Sequence, residues 1–253
     1  MSLPLIHLFT FSNPYKIYKF ERLRIDEILN GNFSEEEKIF GKKQLEKTIF
    51  TPVDAAMHIL DVGADNTIDH YIEKNVSETK EFRHWRNTMP SKIPAHIQRY
   101  QNIYSSVDLN QVTKEIDQIG CIPPENQVLF HGGNILNVTN LYKSTKLSRP
   151  LSTTFCPQVA LRDAEHLGKI YDSGVVYLYV LTVIKPKTNI YVYRHKSRNN
   201  LSKEKEVLFS AGASICITRI RKMSSNYECS KYDNYGRRLS KLVPAYVVEA
   251  TIS

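Results

Sequence analysis

The spacing of hydrophobic positions changes partway along the chain. In the first 120 or so residues the apolar positions recur mainly at helical intervals. Asp108 to Ile119 places Leu109, Val112, Ile116 and Ile119 on one stripe, and Gly120 ends the run. Ser34-Glu35-Glu36-Glu37 has the Ser-x-x-Glu spacing of a capping box and leads into Ile39, Leu45 and Ile49. Pro123-Pro124 marks a joint, after which short strand patterns take over: Gln127 to Phe130, Leu151 to Thr154, Val175 to Val183, Asn189 to Tyr193, Glu206 to Phe209, Ser214 to Ile220 and Tyr246 to Ile252. One helix interrupts them, opened by Pro157 and closed by Gly168. This order predicts an α+β fold: a helical N-terminal lobe over residues 1–122 packed on a mixed or antiparallel β-sheet core over residues 123–253, the two forming one compact unit.

Charge changes the picture more by its distribution than by its total of +8. Residues 131–253 hold 19 Lys or Arg against 8 Asp or Glu, whereas residues 1–130 hold 15 against 18. The strand-rich half is the basic half, which suits a polyanionic ligand or target. Cys121, Cys156, Cys216 and Cys229 form no Cys-x-x-Cys pair and have no His cluster at ligand spacing, so no metal is expected and the thiols are read as free in a reducing compartment. No apolar run reaches the eighteen or so residues of a membrane span, and no membrane partner is expected. The opening Met1-Ser2-Leu3-Pro4-Leu5-Ile6-His7-Leu8-Phe9 lacks the cationic lead and cleavage site of a signal peptide. The expected location is a cytoplasm, either that of the producing cell or that of a host into which a specialised machine injects the protein.

The candidate chemistry centres on Glu204 and Glu206, in Lys203-Glu204-Lys205-Glu206-Val207-Leu208-Phe209. In an extended chain residues i and i+2 point the same way, so the two carboxylates are expected on one face about 6–7 Å apart. Two strand-like segments precede them, Val128-Leu129-Phe130-His131-Gly132-Gly133 and Leu151-Ser152-Thr153-Thr154-Phe155. Taken in order, His131-Gly132, Ser152-Thr153-Thr154 and Glu204-Lys205-Glu206 resemble the ADP-ribosyltransferase family, in particular its clostridial-toxin-like Glu-x-Glu branch. That branch has Arg-Gly in its first motif. His-Gly at that place resembles the diphtheria-toxin and poly-ADP-ribose polymerase branch instead, although that branch would have a tyrosine near the second motif.

The resemblance implies a mono-ADP-ribosyltransferase, a toxin or effector, that uses NAD+ as substrate. It implies that Glu206 accepts a hydrogen bond from the ribose 2′-hydroxyl and stabilises an oxocarbenium-like centre, and that Ser152 orients Glu206. It places Glu204 beside the incoming nucleophile as a general base. Gly132 holds the nicotinamide amide through its backbone, and His131 and Thr153 join the cofactor-binding set. A neutral imidazole offers one donor and one acceptor where arginine offers a cationic fork, and Arg149 or Arg162 could supply the missing cation.

The stretch from Arg194 to Lys203 corresponds in position to the family's target-recognition turn and carries four Lys or Arg and no acid. Its sign favours nucleic acid as the macromolecular target, whereas the family default is a protein side chain such as arginine. Tyr191 and Tyr193 stack on a base if exposed and are core or cross-strand packing otherwise. A neutralising antitoxin or immunity protein is a further partner implied by a toxin. The alternatives are an NAD glycohydrolase toxin and a non-catalytic nucleic-acid-binding relative.

Overall fold

A two-stranded antiparallel sheet that the helical spacing did not predict occupies the front of the chain. The computed structural model describes residues 3–102, 107–136, 141–193 and 205–253. In it β1 (Tyr15–Glu21) is followed by α1 (Ile25–Asn30), α2 (Glu35–Phe40) and β2 (Lys42–Ile49). The capping box forms as expected: the Ser34 hydroxyl accepts from the Glu37 amide at 3.2 Å and the Glu37 carboxylate accepts from the Ser34 amide at 2.9 Å. The helix then stops at Gly41, whose φ of +94° is open to glycine and which sits so close to Glu21 that a Cβ would meet its carbonyl oxygen at 2.3 Å. Leu45 and Ile49 therefore fall on β2, paired antiparallel with β1, and not on a continued helix. Residues 8–51 form one of two compact units.

The other unit comprises Met1–His7 and Pro52–Ser253. Its helical part is α3 (Pro52–Val62), α4 (Asn66–Ile72) running into a π turn (Glu73–Ser77), α5 (Lys80–Asn87), α6 (Ala95–Asn102) and α7 (Leu109–Ile119). The strand-rich part follows in the order β3 (Val128–Gly132), β4 (Ser144–Lys146), β5 (Leu151–Thr154), α8 (Pro157–Glu165), α9 (Lys169–Ser173), β6 (Val176–Val183), β7 (Ile190–Val192), β8 (Glu206–Phe209), β9 (Ser214–Lys222), β10 (Tyr227–Tyr232), β11 (Arg238–Val243) and β12 (Ala245–Ile252). The architecture is α+β. Helices give way to strands at the Pro123-Pro124 joint, yet compactness divides the chain before Leu8 and after Thr51, because α3 and α7 lie against strands of the sheet.

Eight strands form a mixed sheet in the order β4-β9-β12-β6-β3-β5-β8-β7. The β12–β6 pair is parallel and the other neighbours are antiparallel. The β3–β5 junction consists of one residue pair, Phe130 opposite Thr154. β10 and β11 form a separate two-stranded ribbon between β9 and β12.

The apolar start of the chain is core. Leu3 and Ile6 are buried, the Ile6 amide and carbonyl both bond to the side chain of Gln127, and the Trp85 indole donates to the Pro4 carbonyl at 2.7 Å. Trp85 and Phe82 meet Phe155 edge-on, which seats α5 against the end of β5.

Candidate functional site

β5 and β8 pair with Ser152 opposite Leu208 and Thr154 opposite Glu206. Ser152 and Glu206 are thus diagonal neighbours on one face, and the Ser152 hydroxyl donates to Glu206 Oε1 at 2.6 Å. The carbonyl of the same serine accepts from His131 Nδ1 at 2.7 Å. A carbonyl only accepts, so Nδ1 carries the proton and Nε2 is left as an acceptor in the neutral ring. Burial lowers the His131 pKa to about 4 against the opposing pull of the Ser152 carbonyl, with the charges of Arg149 and Lys169 adding to the depression. The imidazole is neutral at pH 7. Ser152 joins the first and third motifs by its two oxygen atoms.

The glycines beside His131 have separate reasons to be there. A Cβ on Gly132 would lie 1.8 Å from the Ala160 carbonyl oxygen, so this residue lets α8 approach β3. Gly133 has φ +119°, its amide donates to the Tyr177 carbonyl at 3.0 Å, and a Cβ there would sit 3.8 Å from His131 Nε2. The acceptor edge of the imidazole therefore faces a residue that has no side chain.

Thr153 is not brought into this group. It is buried, and its hydroxyl donates to the Val207 carbonyl at 2.7 Å, so it braces β5 against β8. Thr154 is buried too and accepts from the Cys156 amide. Arg162 lies on α8 with its side chain 58% exposed and 3.9 Å from Asp69, while Arg149 and Lys169 are the cations whose charge reaches His131. Lys169 was missed from sequence because it begins a five-residue helix with no pattern of its own. Cys156 donates to Asp69 at 3.4 Å, and burial pushes its thiol up to about 12, which removes it as a nucleophile.

Lys205 departs from the extended backbone on which the expected geometry of the acidic pair rests. The same-face argument requires extended backbone through residue 205, but Lys205 has φ +50°, a left-handed conformation that costs an L residue about 1 kcal/mol. The strand begins only at Glu206. The Lys205 side chain turns inward, 5% exposed, and its ammonium bonds Glu73 at 2.6 Å. Glu204 and the basic stretch from Arg194 to Lys203 lie outside the described residues. Tyr191 and Tyr193 are buried and pack edge-on with ring centroids 5.1 Å apart, which makes them core and not a stacking platform.

Among the described residues no helix is long and apolar enough to cross a membrane, and no group of three or more His, Cys, Asp or Glu side chains is placed to hold a metal ion. No protein-family model matches the chain, and no curated protein matches it. Solved structures similar to it include ADP-ribosylating toxins. The ADP-ribosylating toxin BECa of a Clostridium perfringens binary enterotoxin, determined with NADH, is 16% identical over 84% of this chain and 53% of that one, with a TM-score of 0.42. The enzymatic component C2-I of the Clostridium botulinum C2 toxin is 10% identical over 67% of this chain and 45% of that one, with a TM-score of 0.40. Plx2a, an ADP-ribosyltransferase toxin from Paenibacillus larvae, is 12% identical over 73% of this chain and 96% of that one, with a TM-score of 0.41. The chain thus spans about half the length of the two clostridial proteins.

Proposed function

We propose that this protein is a mono-ADP-ribosyltransferase that moves ADP-ribose from NAD+ to a macromolecule. The observation that carries the reading is the bond from the Ser152 hydroxyl to Glu206, with His131 neutral on the carbonyl of the same serine. A carboxylate held by a neighbouring hydroxyl suits the side of a ribose whose C1′ becomes electron-poor. As the bond from C1′ to the nicotinamide nitrogen breaks, its electron pair leaves with nicotinamide, and Glu206 offsets the charge that develops on the sugar. The acceptor then bonds to C1′ and releases its proton to a base, the role assigned to Glu204.

In this reading His131 Nε2 accepts a hydrogen bond from a ribose hydroxyl, because a neutral ring with its proton on Nδ1 has no charge to give a phosphate. Arg149 and Lys169, whose charge reaches His131, take the pyrophosphate in preference to Arg162 beside Asp69. Thr153 acts indirectly, by locking β5 to β8.

The target we assign is nucleic acid. Between Arg219 and Val243 the chain holds seven Lys or Arg and two Asp or Glu. The β10–β11 ribbon in that stretch presents Tyr232 at 72% and Tyr235 at 84% exposure, with the Arg237 guanidinium 5.3 Å from the Tyr235 ring centre and Arg238 opposite Tyr232. Exposed rings interleaved with cations suit a single strand, with bases on the rings and phosphates on the cations. A toxin or effector of this kind acts in a cytoplasm, and a neutralising protein is a natural partner.

The test uses NAD+ labelled in its adenylate half, given with wild type or Glu206→Gln to a cell extract divided for nuclease or protease treatment. Label that nuclease removes and protease leaves, absent with the variant, supports the reading in full. Protease-sensitive label replaces the target with a protein. Rapid loss of NAD+ without label makes the protein a glycohydrolase, and full activity of Glu206→Gln overturns the assignment of the carboxylate.

A further inference from the structure

The middle residue of Glu204-Lys205-Glu206 is inward-facing, and its partner lies 132 residues away in sequence. Lys205 Nζ bonds Glu73 Oε2 at 2.6 Å, and Glu73 opens the π turn that continues α4. Ile72 and Val76 on either side of Glu73 are buried, so the turn is fixed to the core and Glu73 is a firm anchor. One helical turn earlier Asp69 accepts from the Cys156 thiol at 3.4 Å, just beyond the end of β5. A single helical segment therefore holds the chain at the end of β5 and at the start of β8, the two strands that carry Ser152 and Glu206.

An ammonium group is a costly way to fill an interior position, since apolar side chains of similar volume fill such places at least as stably. It offers instead a directional bond that fixes the backbone where it attaches. Here it attaches at φ +50°, the bend from which the strand bearing Glu206 starts.

We infer that Lys205 and Glu73 are positioning residues, an ion pair that holds the Glu206 carboxylate in reach of Ser152. Neither touches the reacting atoms. The inference rests on the proposed transferase reading for its catalytic consequence, but the placement of Glu206 can be tested without turnover.

The experiment compares wild type with Lys205→Met, which keeps the length of the side chain and removes its charge, and with Lys205→Arg, which keeps the charge. NAD+ binding is followed by calorimetry, nicotinamide release gives kcat, and the Glu206 carboxyl is titrated by carbon-13 NMR. In Lys205→Met, kcat is expected to fall by about 10²-fold while the dissociation constant for NAD+ changes by no more than about two-fold, and Lys205→Arg restores about a tenth or more of the lost rate. The Glu206 titration is expected to shift in Lys205→Met and to return in Lys205→Arg. Wild-type kcat and an unmoved Glu206 titration in a folded Lys205→Met protein would overturn the inference, as would a loss confined to NAD+ affinity. Should wild type itself turn over no NAD+, the transferase reading fails, and the carboxyl titration alone decides whether Lys205 places Glu206.

Discussion

Ser152 and Glu206 are not partners in the β5–β8 register, yet the serine hydroxyl crosses the diagonal to the carboxylate at 2.6 Å. The bond is a short one for two oxygen atoms. Ser152→Ala is expected to lower kcat for nicotinamide release by about 10–10²-fold while costing about 1 kcal/mol of stability, because the groups left behind are reached by solvent. Steady-state kinetics beside chemical denaturation separate the two effects. A loss of several kcal/mol with kcat unchanged would make the bond a structural one.

His131 gives the protein an acid-sensitive element with a definite sign. Its folded pKa of about 4 lies below its ordinary value, so the unfolded chain takes up a proton at a pH where the folded chain does not. Stability is therefore whole above about pH 6.5 and falls as pH drops towards 4, where the folded ring also titrates. The loss expected from this residue is about 1–2 kcal/mol, discounted because the residue as a whole is only half-buried. His131→Asn, whose amide can still donate to the Ser152 carbonyl, should flatten that part of the pH dependence in denaturation curves recorded between pH 4 and 7.

Gly132→Ala places a methyl group 1.8 Å from the Ala160 carbonyl oxygen, a backbone atom that has no rotamer in which to move aside. Overpacking of this kind is expected to destabilise by about 3 kcal/mol or more, as β3 and α8 are forced apart. Thermal denaturation checks it. A variant as stable as wild type would show that α8 is free to shift.

The two halves of the Lys205–Glu73 pair should respond unequally. The Glu73 side chain is 53% exposed, and water can solvate it when Lys205 becomes Met. Glu73→Gln instead takes a counter-charge away from an ammonium group that is only 5% exposed. The expected cost is about 3 kcal/mol for Glu73→Gln and about 1 kcal/mol or less for Lys205→Met, measured by denaturation at pH 7. Burial opposes ionisation of Glu73, but the hydrogen bond and charge of Lys205, helped by Ser77 and Arg86, hold its carboxyl below the usual range. The pair is thus present at neutral pH and is lost only in acid.

If the β10–β11 ribbon receives a nucleic-acid strand, replacing Tyr232 and Tyr235 together by alanine should weaken binding by about 1–3 kcal/mol for each base that loses its ring. Replacing Arg238 should reduce the salt slope by about one phosphate contact. Fluorescence anisotropy with a labelled single strand at several salt concentrations distinguishes these effects, and wild-type affinity in the double tyrosine variant would remove the ribbon from the interface.

The strands that carry β-branched and apolar residues around Ser152 and Glu206 were legible because both their short runs and their boundaries are local. β5 and β8 begin and end where the residue pattern places them, and the resemblance that linked Ser152 to Glu206 points to two atoms that the fold brings into contact. β1 and β2 were hidden because their positions are mostly exposed and lysine-rich, leaving no apolar face to reveal a period of two. β11 was hidden for a similar reason. The bend at Lys205 was hidden because the partner of its inward-turned side chain is a carboxylate on a distant helical segment, which no window around Glu204 and Glu206 contains.

The one-pair junction between β3 and β5 gives the sheet a seam. His131 stands on one bank and Ser152 with Glu206 on the other, so the imidazole bond to the Ser152 carbonyl is a second stitch across it. A ligand seated among these residues would grip both banks at once, and its binding would strengthen the seam. Amides flanking Phe130 and Thr154 should then exchange slowly with solvent in the presence of such a ligand and faster without it, which makes the weakest line of the sheet the place where occupancy is written into the stability of the whole.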